Sequence, residues 1–284
     1  MKKLFLAWQE PKSRHWFPIG CLEFDGVQYH FFYIKGVEKA RINGFNEVYS
    51  LPILEKVYSS EHLFSIFSNR LMNRSRPDYA RYIQSLNIPA GEDDPMTVLA
   101  RSGGGKATDS YEVFPCPEID ENGSYHTYFF VRGLQYMPKC SLDRAAQLQP
   151  QHLYLSHDLQ NPYDPKALLL HTEDRYNLGY CPRYLSSDIF PILQENPLLV
   201  KVEIERVNPP PTPMQFRLLC RMTVECDPLA VTGRDFKPFA GEDYQPLSDK
   251  RSSMGIDRSL YQVPADFNAD IPADLLAAFE GEEV

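Results

Sequence analysis

The sequence predicts an α+β N-terminal domain over residues 1–115, a mostly β domain over 124–226 and an acidic, largely disordered tail over 227–284. Three observations predict this. Apolar residues alternate with a period of two near the start of the chain and again from Tyr125, the signature of half-buried strands. Between these stretches, from Ser59 to Ala100, the spacing changes to the three-to-four of amphipathic helices. Beyond Asp227 the pattern dissolves into polar sequence punctuated by Pro and Gly, which buries too little apolar surface to offset chain entropy.

In order along the chain, residues 4–8 form a first strand, and 16–20 with 22–24 a second. Asp25-Gly26 then makes a hairpin turn into a third strand over 29–33, because glycine tolerates the positive φ such turns need. Ser59-Ser60-Glu61-His62 resembles a helix start, followed by Leu63, Phe64, Ile66, Phe67 and Leu71 at helical spacing. A second helix runs from Pro77 to Leu86 with proline in its first turn, and Met96–Ala100 is a third, short one. Ser102-Gly103-Gly104-Gly105-Lys106 has the composition of a phosphate loop but the wrong spacing. Ala107 also replaces the hydroxyl residue that would bind magnesium, so the segment reads as a flexible turn. Val113–Pro117 with Asn122-Gly123 reads as an inter-domain connection. A strong strand follows over 125–131, then a helix over Ser186–Leu193 and a rigid turn at Pro209–Pro213. Within the tail, Ile271–Phe279 is a short amphipathic helix.

The 284 residues carry a net charge of −9, unevenly spread. The tail holds 12 acidic and 5 basic residues, leaving 26 acidic and 24 basic for residues 1–226. The body is nearly neutral, which permits a local basic patch and excludes general polyanion affinity. None of the six cysteines lies in a C-x-x-C pair or at zinc-ligand spacing, so they read as reduced thiols of a cytoplasmic protein that uses no metal or other cofactor. The first residues lack a cleavage-site pattern and read as a strand, and no apolar run approaches the ~20 residues needed to cross a bilayer. No nucleophile elbow, helicase motif or paired carboxylates appear in motif context, so the protein is expected not to be an enzyme.

The most informative segment runs from Leu153 to Leu170. A strand enters, Asn161-Pro162-Tyr163-Asp164 turns, and a second strand leaves at Ala167. Pro162 fixes φ and keeps the turn rigid. A tyrosine displayed beside an amide and a carboxylate offers a stacking face next to hydrogen-bonding groups, and a base stacked on such a ring gains ~1–3 kcal/mol. A stable turn with Tyr163 packed inward and Asp164 as a cap reads equally well from these residues alone.

Three ordered motifs carry a resemblance: Gly133-Leu134-Gln135-Tyr136, then Asn161-Pro162-Tyr163-Asp164 with Ala167, then Gly179-Tyr180-Cys181-Pro182-Arg183. Over residues 124–226 the chain resembles the HIRAN domain, found in helicase-like transcription factor and in free-standing bacterial proteins. The resemblance implies an OB-like barrel and a pocket that grips single-stranded DNA or a DNA 3′ end. It implies that Tyr136 stacks on a base, Tyr163 packs on the terminal nucleotide and Asp164 accepts a hydrogen bond from a free 3′-hydroxyl. Arg183 holds a phosphate, Phe216 supplies a further stacking ring, and Asn161 and Tyr180 complete the site. Gln135 and Tyr180 stand where DNA-binding members carry arginine and histidine, which implies a less positive phosphate path. Residues 3–115 resemble the small N-terminal subdomain of HipA-type toxin kinases, through Phe67–Met72, Arg76–Tyr79 and Leu99–Gly104, without the kinase body. That implies a scaffold or partner-binding element.

The function expected is therefore non-enzymatic recognition of single-stranded DNA or DNA ends. A protein partner is expected through the N-terminal domain or the tail, and no membrane contact. The alternative is a regulatory or protein-interaction scaffold, related to toxin–antitoxin components, that binds no DNA.

Overall fold

In the computed structural model, which describes residues 2–106, 108–116, 124–147, 152–225 and 233–240, the strands sort into two antiparallel sheets. The first holds β1 (Lys2–Gln9), β2 (Trp16–Phe24), β3 (Tyr29–Tyr33), β4 (Tyr58–Ser60) and β5 (Tyr111–Pro115), in the order β4-β3-β2-β1-β5. The second holds β6 (Tyr125–Phe130), β7 (His152–His157), β8 (Leu168–His171), β9 (Asn177–Tyr180), β10 (Val200–Val207) and β11 (Leu218–Val224), in the order β6-β11-β10-β7-β8-β9. Six helices accompany them among the described residues: α1 (Gly36–Ile42), α2 (Ser65–Ser68), α3 (Tyr79–Ser85), α4 (Pro95–Ser102), α5 (Lys139–Ala146) and α6 (Arg183–Glu195).

The β1–β2–β3 meander matches the alternation. Its Asp25 carboxylate accepts the Val27 and Gln28 amides at 2.7 Å, which builds the expected hairpin turn. Two expectations need correcting. Val113–Pro115 is no connection but belongs to β5, paired antiparallel with β1 (Leu6 opposite Val113), with Val113 and Phe114 buried. The helix expected from Ser59 shrinks to α2, and Tyr58–Ser60 pairs with Tyr29–Phe31 instead. Sheet-edge hydrogen bonds and the packing of Phe67 on Phe31, 5.8 Å between ring centres, override the local helical spacing. The seven-residue α1 and the eight-residue α5 are too short to show a period and were not expected.

The stretch from Asp227 is not structureless throughout. At 233–240 a short 3-10 helix leads to Pro238, which bridges Ile34. Phe236 meets Phe5 edge-on at 4.8 Å, and Lys39 pairs with Asp235 at 2.5 Å. A single aromatic anchor within polar sequence has no period to betray it. The helix expected over Ile271–Phe279 lies outside the described residues.

The second sheet is curled into a half-barrel. Its first and last strands, β6 and β9, come together just beyond their ends. There Arg132 and Tyr180 exchange two backbone hydrogen bonds of 2.9 and 2.8 Å. Gly179 permits this closure, since a Cβ there would lie 2.4 Å from the Arg132 carbonyl oxygen. The core is filled by Tyr125, Phe129, Leu170, Leu178, Ile189, Met222 and their neighbours. Residues 1–246 form one unit. Ile83, Leu86 and Val98 from the first half share a buried cluster with Phe130 and Leu219 from the second, and Phe114 stacks on Tyr184 at 4.6 Å. Cys21, Cys181 and Cys220 are free thiols, and burial raises each well above its ordinary value, Cys181 to about 12. No helix among the described residues is long and apolar enough to cross a membrane.

Candidate functional site

The barrel closure decides where the site forms. Arg132 leads into Gly133, whose φ of +71° turns the chain into a 3-10 turn over Leu134–Tyr136. Leu134 is buried and pins that turn, which leaves Tyr136 81% exposed. Immediately across the closure, Tyr180 ends β9 and Arg183 opens α6. Gly133 lies between the two rings: a Cβ placed on it would come 3.4 Å from Tyr180 and 3.8 Å from Tyr136.

The loop joining β7 to β8 supplies the opposite wall. Its shape comes from short polar side chains that bond their own backbone. The Asn161 side-chain oxygen accepts the amides of Tyr163 (3.0 Å) and Asp164 (3.1 Å), Asp158 accepts that of Gln160 (3.1 Å), and Asp164 accepts that of Lys166 (2.9 Å). With its polar groups satisfied locally, the loop holds Tyr163 outward, 71% exposed, and Leu159 beside it at 83%. The inward-packed reading of Tyr163 is therefore wrong. The Tyr180 hydroxyl donates to Asp158 at 2.8 Å and ties the two walls together. Burial first, and that hydrogen bond second, raise the Tyr180 pKa, so the phenol stays neutral and donating.

These walls enclose a cavity of about 940 Å³. Tyr136, Asn161, Tyr163, Asp164, Tyr180 and Arg183 all line it, although they span 48 residues of sequence. Phe216 does not. It sits half-buried against Phe130 (5.1 Å) and Tyr82 (6.0 Å), both edge-on, where the β10–β11 connection packs on α3. Its expected role as a stacking ring in this cavity is corrected accordingly.

The two charged residues are arranged differently from their expected separate roles. The Asp164 carboxylate lies 3.3 Å from Arg183 Nε. Arg183 also donates Nη2 to the Tyr163 carbonyl (2.8 Å) and Nη1 to the Arg14 carbonyl (2.5 Å). One guanidinium thus clamps the loop to α6 and to the β1–β2 hairpin. That hairpin carries the residues sequence reasoning missed: Gln9, Arg14 and Trp16 line the cavity, with Glu112 and Arg132 paired to each other at its edge. Arg132 could have been found, since it directly precedes the Gly133 motif. Nothing local marks Gln9, Arg14 or Trp16.

With this geometry in place, comparison with known proteins becomes specific. The family model of the HIRAN domain matches residues 124–226. No curated protein matches the chain. Two solved structures are similar to it. One is a protein from Lactobacillus plantarum, at 16% identity over 36% of this chain and 97% of the other, with a TM-score of 0.28. The second is the HIRAN domain of human HLTF, at 18% identity over 36% of this chain and 74% of the other, with a TM-score of 0.24. The family model bears out the HIRAN resemblance for residues 124–226, whose described residues form the half-barrel and two of the cavity's walls.

Proposed function

We propose that the protein binds nucleic acid, taking a single-stranded DNA end into the cavity between Tyr136 and Tyr163, and that it does so without catalysing a reaction. The observation that carries this reading is the pairing of two exposed tyrosines across a cavity containing a carboxylate and a guanidinium. Two exposed rings lining one cavity offer stacking faces, and bases stack on tyrosine whatever their identity. Asp164 accepts from a 3′-hydroxyl and repels a phosphate at the same point, which makes the cavity selective for an unmodified end. Arg183, already shared among three oxygens, steadies the loop more than it neutralises phosphate, consistent with a low salt dependence at the end itself.

Fluorescence anisotropy with the full chain, at low and moderate salt, compares single strands ending in 3′-hydroxyl or 3′-phosphate with blunt duplex. The 3′-hydroxyl strand should bind tightest. Tyr163→Ala should cost about 1–3 kcal/mol through lost stacking, with the salt slope unchanged. Absence of binding to every probe at low salt would remove this reading and leave a protein-interaction surface built on Leu159 and Tyr163.

A further inference from the structure

We propose that a strand leaving the first cavity continues into a second one, where the N-terminal half holds its phosphodiester backbone with Arg14, Arg101 and Lys106 around Trp16. This rests on the end-binding reading above and adds the path of the polymer to it. The second cavity, about 660 Å³, lies against the first and shares with it Gln9, Arg14, Trp16, Glu112, Arg132 and Tyr184. The two are successive basins along one surface between the sheets.

Charge distinguishes the second basin. Arg14, Arg101, Lys106 and Arg132 line it against Asp109 and Glu112. Both carboxylates are already neutralised, Glu112 by Arg132 and Asp109 by the buried Arg70 at 2.6 Å. Arg14, Arg101 and Lys106 have no ion-pair partner among the described residues. The Arg101 guanidinium carbon lies 3.7 Å from the centre of the Tyr128 ring, and its Nη1 is buried without an acceptor. A guanidinium held in place by a ring, with donors to spare, is suited to a phosphate oxygen.

The glycine-rich loop is built to stay out of the way. Gly103 and Gly104 both take positive φ, +72° and +57°, and Arg70 grips the Gly104 carbonyl at 2.8 Å. Lys106 is thereby presented at the exposed rim of the basin. The loop follows the C-terminal end of α4, whose carbonyls face it, so its amides do not form the anion nest of a nucleotide site. Side-chain cations spread over the surface, with Trp16 among them, match a charged groove that tracks a strand past a stacking ring.

The test uses the full chain and oligodeoxythymidylates with free 3′-hydroxyls, a dinucleotide and one of about ten nucleotides, since single-strand sites span about 4–16 nucleotides. Lys106→Gln, an exposed change, and the double variant with Arg101→Gln are compared with the wild type after circular dichroism establishes folding. Each lost contact should lower the salt slope for the longer strand by about 0.7 and leave the dinucleotide unaffected. If both lengths bind the wild type and neither variant alters the longer strand, the second basin is not a strand path, while the end-binding reading stands. Equal loss for both lengths would overturn the path too, because the cations would then act on the first cavity. If neither length binds the wild type, the end-binding reading fails and the path falls with it.

Discussion

Two loops border the connected basins, and they reach their shapes by opposite means. The 158–167 loop takes its shape from within, since Asp158, Asn161 and Asp164 each bond amides two or three residues away, and Arg183 and Tyr180 then fasten that shape to its surroundings. The 103–110 loop is organised from outside by Arg70, 34 residues before Gly104 and 39 before Asp109, through the Gly104 carbonyl and the Asp109 carboxylate. The first displays aromatic rings; the second displays cations. A loop that carries its own scaffold survives changes elsewhere, whereas one held by a distant side chain couples its shape to the packing of another element, here the turn after α2.

Breaking the external anchor should have the largest effect. Arg70 is 8% exposed and donates to Ile66, Gly104 and Asp109. Arg70→Ala removes the donors to Ile66, Gly104 and the partly exposed Asp109 carboxylate and should cost about 2–3 kcal/mol in denaturant unfolding. A loss below about 1 kcal/mol would mean the 103–110 loop is held by something other than Arg70.

A smaller effect is expected from the self-organised loop. Asn161→Ala removes two side-chain-to-backbone hydrogen bonds and should cost about 1–2 kcal/mol. Asn161→Asp keeps the acceptor and should restore most of that. If Asp fails where Asn succeeds, the Asn161 amide nitrogen also holds the loop, through a group outside it.

The smallest effect concerns the hairpin tip that presents Arg14. The Glu10 carboxylate accepts the amides of Ser13 and Lys12, and chiefly the Ser13 bonds hold its pKa down to about 2 from an ordinary 4.5. A depressed carboxylate stabilises the fold above its unfolded value and loses that contribution as pH falls between about 4.5 and 2. In an NMR acid titration the Ser13 and Lys12 amides should therefore shift with a midpoint near 2. A midpoint near 4.5 would show that the tip is not held by this carboxylate, and that a third, self-capped loop should not be added to the comparison.

Much of the fold was legible because its causes are local. Period-two alternation marked β1, β2, β3 and β6, and Pro77, which lies just before the N-cap Asp78, marked α3 to within two residues. The site was half legible for the same reason. Asn-Pro-Tyr-Asp carries its own turn chemistry, so the turn could be placed from its residues, whereas the outward direction of Tyr163 could not. Phe216 could not be placed this way, because an aromatic residue after a proline-rich turn packs wherever a neighbouring element offers a face, and α3 offered one.

By itself, then, the sequence determined two strand-rich halves, the rigid Asn161–Asp164 turn, and the family to which residues 124–226 are similar. Those features follow from backbone preferences and hydrogen bonds that span only a few residues. Only the tertiary structure decided that Val113–Pro115 completes the first sheet, that Phe236 anchors the chain beyond 233, and that Arg183 clamps the loop to Arg14. It also brought the hairpin carrying Trp16 against the half-barrel's closure. Each of these joins groups far apart in the chain, and such contacts are selected by burial and by charge pairing across the whole fold. No window of sequence contains both partners.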